Sequence, residues 1–105
     1  MKVQKKNTKL ERVFQANLIK ELKKIFKGCI VLKVDGTNTP QGFPDLVIIY
    51  KKYWAALEVK KSAKAHKQPN QEYWVDFLNR ASFSRFIYPE NKEEVLNDLR
   101  KTFRA

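Results

Sequence analysis

The stretch Gly42-Phe43-Pro44-Asp45-Leu46-Val47-Ile48-Ile49-Tyr50-Lys51-Lys52-Tyr53-Trp54-Ala55-Ala56-Leu57-Glu58-Val59-Lys60 decides the fold. Two short apolar runs, rich in Val, Ile, Tyr and Trp, flank a Lys-Lys pair and read as strands. So short a link makes them an antiparallel hairpin. With Lys51-Lys52 as the turn, Tyr50 faces Tyr53, Ile49 faces Trp54, Val47 faces Ala56 and Asp45 faces Glu58. Directly opposed residues share a face of the sheet. The period of two puts Lys60 on the face of Glu58. Opposed carboxylates repel and destabilise a sheet unless a cation sits with them. Spacing alone therefore suggests a metal site at one end of a buried hairpin. Lys-Lys is not the Asn-Gly type that two-residue hairpins favour, and a three-residue loop would shift the register by one.

The chain has 105 residues, enough for one small domain. Three Gly and four Pro argue against a low-complexity chain. A balance of 22 basic to 11 acidic residues leaves a net charge of +11, which calls for a polyanionic partner, most often nucleic acid. The single Cys29 can form no internal disulfide and reads as a small buried hydrophobe. No run approaches the roughly 18 apolar residues of a membrane span, and the N-terminus has no apolar signal segment, so a cytoplasmic protein with no membrane partner is expected.

Outward from the hairpin, residues 1–7 read as a flexible basic arm. Thr8 and Glu11 have capping-box spacing at the start of a helix expected to reach about Lys27 and stop at Gly28. Leu10, Phe14, Leu18, Leu22 and Ile25 form its buried stripe. Glu11 projects near the centre of that stripe, and Glu21 nearer its edge. A carboxylate aimed inward must be paired, neutralised or metal-bound. A strand over residues 29–35 leads to a polar loop with Asn38. Both hairpin strands are apolar on both faces, so they are expected to be central and covered on both sides. After Lys60 comes the densest basic run, with Lys61, Lys64, His66 and Lys67 as candidate phosphate contacts. Pro69-Asn70 opens a second helix with Trp74, Val75, Leu78 and Ala81 on one side, and Gln71 projects onto that stripe, with Gln68 a weaker rival. The aromatic residues of the second half are assigned to the core. A strand over residues 84–88 and a helix carrying Val95, Leu96, Leu99 and Phe103 follow. The order α-β-β-β-α-β-α is that of a small α/β domain with a mixed central sheet flanked by helices.

Pro44-Asp45 and Glu58-Val59-Lys60, together with Glu11, Gln71 and the fuller motif Gly42-Phe43-Pro44-Asp45, resemble the PD-(D/E)xK nuclease superfamily. Within it they resemble the virus-type replication-repair nuclease family, VRR-NUC, in its compact phage-type form, from about Glu11 to the end. The resemblance implies a restriction-endonuclease-like core in a single nuclease domain over residues 1–105. It implies a structure-specific DNA endonuclease, of a kind associated with cutting Holliday junctions as a homodimer. It further implies Mg2+ or Mn2+ ligated by Asp45, Glu58 and the backbone carbonyl of Val59, with Glu11, or by a looser alignment Glu21, as the helix carboxylate. Lys60 would orient the attacking water, and Gln71 would hold a ligand or a water. Lys2, Lys5, Lys6, Asn38, Arg80, Arg85 and the run after Lys60 would meet DNA. The other reading of the sequence is a non-catalytic nucleic-acid-binding module with the same fold.

Overall fold

A computed structural model of the chain describes residues 8–105. The calls on Lys2, Lys5 and Lys6 and on the arm over residues 1–7 lie outside them. The elements are α1 (Lys9–Ile25), β1 (Ile30–Lys33), β2 (Leu46–Tyr50), β3 (Tyr53–Val59), α2 (Gln71–Ala81), β4 (Ser84–Ile87) and α3 (Lys92–Phe103). They build a four-stranded sheet in the order β1-β2-β3-β4. The first two pairings are antiparallel and the third, reached through α2, is parallel. The domain is thus a compact α/β unit with a mixed sheet.

The hairpin turns at Lys51-Lys52, with Tyr50 opposite Tyr53, Ile49 opposite Trp54 and Val47 opposite Ala56. Lys51 takes a left-handed φ of 56°, the backbone that Asn or Gly would adopt more readily. The Lys51 and Lys52 ammonium groups lie over the Tyr50 and Tyr53 rings, 5.1 and 5.7 Å from the centroids.

On one face, Leu46, Ile48, Leu57 and Val59 pack with Leu18, Leu22 and Phe26 after α1, and with Val95, Leu96, Leu99 and Phe103 of α3. Phe103 packs on Phe26, Tyr50 and Tyr53 and closes this core at the hairpin end. Lys92 at the start of α3 bridges to Glu21 of α1 at 2.9 Å, and this bond raises the Lys92 pKa. On the other face, α2 leans on β3 and β4.

Several expectations need correction. Helix α1 ends at Ile25, two residues early, and Phe26 turns inward as its cap, fully buried. Leu10 is not in the buried stripe but 72% exposed, because the core begins only near Phe14 and the first turn of α1 overhangs it. β1 is shorter than expected, Ile30–Lys33 rather than residues 29–35. Cys29 is half-buried; burial pushes its thiol pKa up, and its Sγ points to the Leu22 carbonyl oxygen. β2 and β3 are central, but among the described residues only β3 is covered on both sides. α2 stops short of β1 and β2, which leaves Ile30, Leu32 and Ile49 exposed. The aromatic residues of α2 are not all core either: Tyr73 and Phe77 are exposed, as is Ala81.

Candidate active site

The site grows from the open end of the hairpin. Leu46 pairs with Leu57, so one step further Asp45 comes opposite Glu58. Asp45 is held at both ends. Its carbonyl accepts from the Val34 N–H at 2.7 Å, and its Oδ2 accepts from the Val59 N–H at 2.8 Å. Lys60, just past β3, is fixed by the parallel ladder, its N–H donating to the Ile87 carbonyl at 2.9 Å. Asp45, Glu58 and Lys60 are all buried.

Gln71, fully buried at the start of α2, donates through Nε2 to Glu58 Oε2 at 2.9 Å. Its Oε1 accepts from the Gln68 N–H at 2.7 Å, so the amide spans from the loop to the carboxylate. Lys60 Nζ donates to the His66 carbonyl at 3.0 Å and lies 3.9 Å from Glu58 Oε2. A buried carboxylate is costly unless charge and hydrogen bonds compensate it, and Glu58 receives both.

The start of α2 can stand this close because of Gly42. At its φ of +88°, a Cβ would lie 2.6 Å from the Pro69 carbonyl oxygen, 2.7 Å from the Asn70 carbonyl carbon and 2.9 Å from the Gln71 nitrogen. Backbone presses on backbone there, tying the approach to β2 to the first turn of α2. Phe43 and Trp74, with ring centroids 5.7 Å apart, reinforce the same junction.

Glu11 enters from α1. Thr8 Oγ1 accepts from the Glu11 N–H at 3.1 Å, which begins the helix where expected. The overhanging first turn brings Glu11 to a cleft of about 130 Å³, lined also by Glu58, Lys60, Lys61, His66 and Gln68. Asp45 is not in that lining. Glu21 is elsewhere, paired with Lys92.

Of the candidate phosphate contacts, Lys61 and His66 line the cleft and Lys64 is exposed nearby in sequence. Lys67 covers the Phe86 ring at 4.5 Å. Asn38 is exposed in the loop between β1 and β2. Arg80 pairs with Asp76 at 3.3 Å, and Arg85 bonds to Asn79 and to the Ser84 carbonyl while lying over Phe83. Those two arginines are therefore engaged within the protein's own α2–β4 region. The His66 carbonyl that anchors Lys60 carries no mark in the sequence.

Asp45, Glu58 and the Val59 carbonyl make an all-oxygen donor set of the kind hard divalent ions take. Among the described residues, no three His, Cys, Asp or Glu side chains gather into a ready cage. Mg2+ needs less, keeping several waters and often using one or two carboxylates plus substrate phosphate oxygens. The donor chemistry fits such an ion at the Asp45–Glu58 pair, with Glu11 lining the same cleft as Glu58.

No family model, curated protein or solved structure matches the chain. Among the described residues, no helix is long and apolar enough to cross a membrane.

Proposed function

We propose that the protein is a divalent-metal-dependent DNA endonuclease of the PD-(D/E)xK type, close to VRR-NUC and with a restriction-endonuclease-like core, acting on branched DNA such as Holliday junctions as a cytoplasmic homodimer. One observation carries the reading: two buried carboxylates at adjacent strand ends, with a buried lysine beside them, in a chain of net charge +11. Mg2+, or Mn2+ in its place, would polarise the scissile phosphate and lower the pKa of the attacking water.

The chain's own residues have distinct tasks in this reading. Asp45 and Glu58 would hold the ion, with Glu11 lining the same cleft as Glu58. Lys60, pinned by the His66 carbonyl, presents a fixed positive charge to the water or to the charge building on phosphorus. Gln71 keeps Glu58 in place from the side of α2. Lys61, Lys64, His66, Lys67 and Asn38 offer contacts to phosphate that carry no sequence information. Nothing in the sequence has the spacing of a base-reading motif, which favours recognition of a DNA shape.

A second reading has its own support. Glu58 is already satisfied by Gln71 and Lys60 within the protein, as in a binding module whose acids are purely structural. Labelled four-way junction, splayed, nicked, duplex and single-stranded DNA, incubated with Mg2+, Mn2+ or EDTA, separates the two. Nuclease action predicts EDTA-sensitive cutting of branched DNA, abolished in Asp45→Ala and Lys60→Ala while binding survives. Mg2+ at about 100 times its Kd should also stabilise the wild type by about 2.7 kcal/mol, and not Asp45→Ala. Salt-sensitive binding without cutting in either metal would leave the binding module standing.

A further inference from the structure

The uncovered part of the sheet carries a second surface. Ile30 pairs with Ile49, and Ile49 with Trp54, so these three share the face that α2 leaves open, and Leu32 joins them two residues along β1. On the side of α2 where Trp74 packs on Phe43, just before β2, Trp74 and Phe77 lie edge to face at 5.6 Å, with Tyr73 stacked on Phe77 at 6.1 Å. Ile30, Leu32, Ile49, Tyr73 and Phe77 are 53%, 48%, 37%, 57% and 44% exposed. None of these residues is charged, in a chain where 31% are.

We propose that this corner between α2 and the β1–β2 face is where a second copy of the chain docks. Only the pairing of two copies is taken over from the proposed function; the location and its consequences are new.

Area favours this occupant. Five large apolar side chains about half exposed offer roughly 500 Å². A stable interface takes about 800 Å² per partner, of which about 56–65% is apolar. The patch thus matches the apolar centre of one standard interface. Charge favours it too. Two copies at +11 repel, so they must meet where no lysine or arginine faces its twin. A nucleic acid would need cations among the rings, because such interfaces are strongly basic. An isologous contact uses one patch twice, and a single self-complementary corner suffices. Phe43 and Trp74 link the patch to the acid pair, so docking would stiffen the junction that seats Gln71 against Glu58.

Mass measurement by sedimentation and light scattering between roughly 1 and 100 µM, the weak end for interfaces of this size, tests the proposal without any cleavage assay. A failure here and a failure of nuclease action are therefore separate results. The expected mass is twice the 12.4 kDa of one chain. Added salt should strengthen the pairing by screening like charges, opposite to its effect on DNA binding. The chain's two tryptophans, Trp54 and Trp74, both lie in the patch, so emission should shift red on dilution to single chains. Leu32→Glu and Phe77→Glu should each raise the dimer Kd about 100-fold with unchanged circular dichroism. Val13→Glu, 51% exposed on α1, should pair like wild type. A wild type of single-chain mass throughout this range overturns the proposal, and so do Leu32→Glu and Phe77→Glu proteins that still pair. A single-chain wild type whose single-stranded DNA binding falls in Phe77→Glu would assign the rings to bases instead. Should Leu32→Glu misfold, Phe77→Glu and the wild-type tryptophan emission decide alone.

Discussion

Replacing Gly42 by alanine tests whether the site depends on backbone meeting backbone. The added Cβ would fall 2.6, 2.7 and 2.9 Å from three atoms of the Pro69–Gln71 backbone, none of which can swing aside like a side-chain tip. Two costs add. The φ of +88° costs a non-glycine residue about 1–2 kcal/mol. Overpacking against a rigid neighbour costs about 1–3 kcal/mol more. The sum, about 2–5 kcal/mol, is a large share of the roughly 5–15 kcal/mol that holds a domain folded. Gly28 supplies the control. Its φ is also +88°, but nothing lies within 4 Å of its would-be Cβ, so Gly28→Ala should lose only the conformational part. Urea unfolding of both variants reads the difference, expected at about 1–3 kcal/mol in favour of Gly28→Ala. Gly42→Ala should also lose cleavage while still folded, because Gln71 can retreat only by releasing Glu58. Equal losses in the two variants would refute the close approach of the β2 entrance to α2, and full cleavage by Gly42→Ala would refute its role in the site.

Gln71→Leu should destabilise the fold by about 1–3 kcal/mol in urea unfolding, because Glu58 Oε2 and the Gln68 N–H lose a buried partner, whereas Gln71→Ala with no measurable loss would show that water replaces the amide. The Lys92–Glu21 bridge joins α1 to α3 across the core, and Lys92→Met should cost no more than about 1 kcal/mol at neutral pH. The sign follows from the raised Lys92 pKa: the contribution is complete below the ordinary value of 10.5 and fades as pH climbs through the higher folded value. The gap between wild type and Lys92→Met in urea midpoint should therefore close in strong alkali; a gap that persists there would assign it to lost packing.

The hairpin was legible because a period of two and a two-residue turn leave one register, and the ladder from Tyr50–Tyr53 to Leu46–Leu57 follows it. The stripe of α3 was equally plain, and Val95, Leu96, Leu99 and Phe103 are all buried. Gln71 stood out because a polar side chain on an apolar stripe needs a partner. What escaped depends on tertiary placement. Periodicity treats every turn of α1 alike, yet Leu10 lies beyond the end of the core and is exposed. The rings of Tyr73 and Phe77 look like core by composition, but among the described residues no element covers them. The grip on Lys60 comes from a main-chain carbonyl at His66, which any residue would supply.

The strand order β1-β2-β3-β4 is also the order of synthesis. Each strand therefore pairs with the one made just before it, and the sheet can grow from one side as the chain leaves the ribosome. Such neighbour-to-neighbour pairing keeps loop closures short and favours fast folding. By residue 60 both acids and the lysine have emerged, but Glu58 gains its amide partner only when α2 has formed. Asp45 has its Val59 partner within the hairpin itself, so it is Glu58 alone that waits for the helix to be secured.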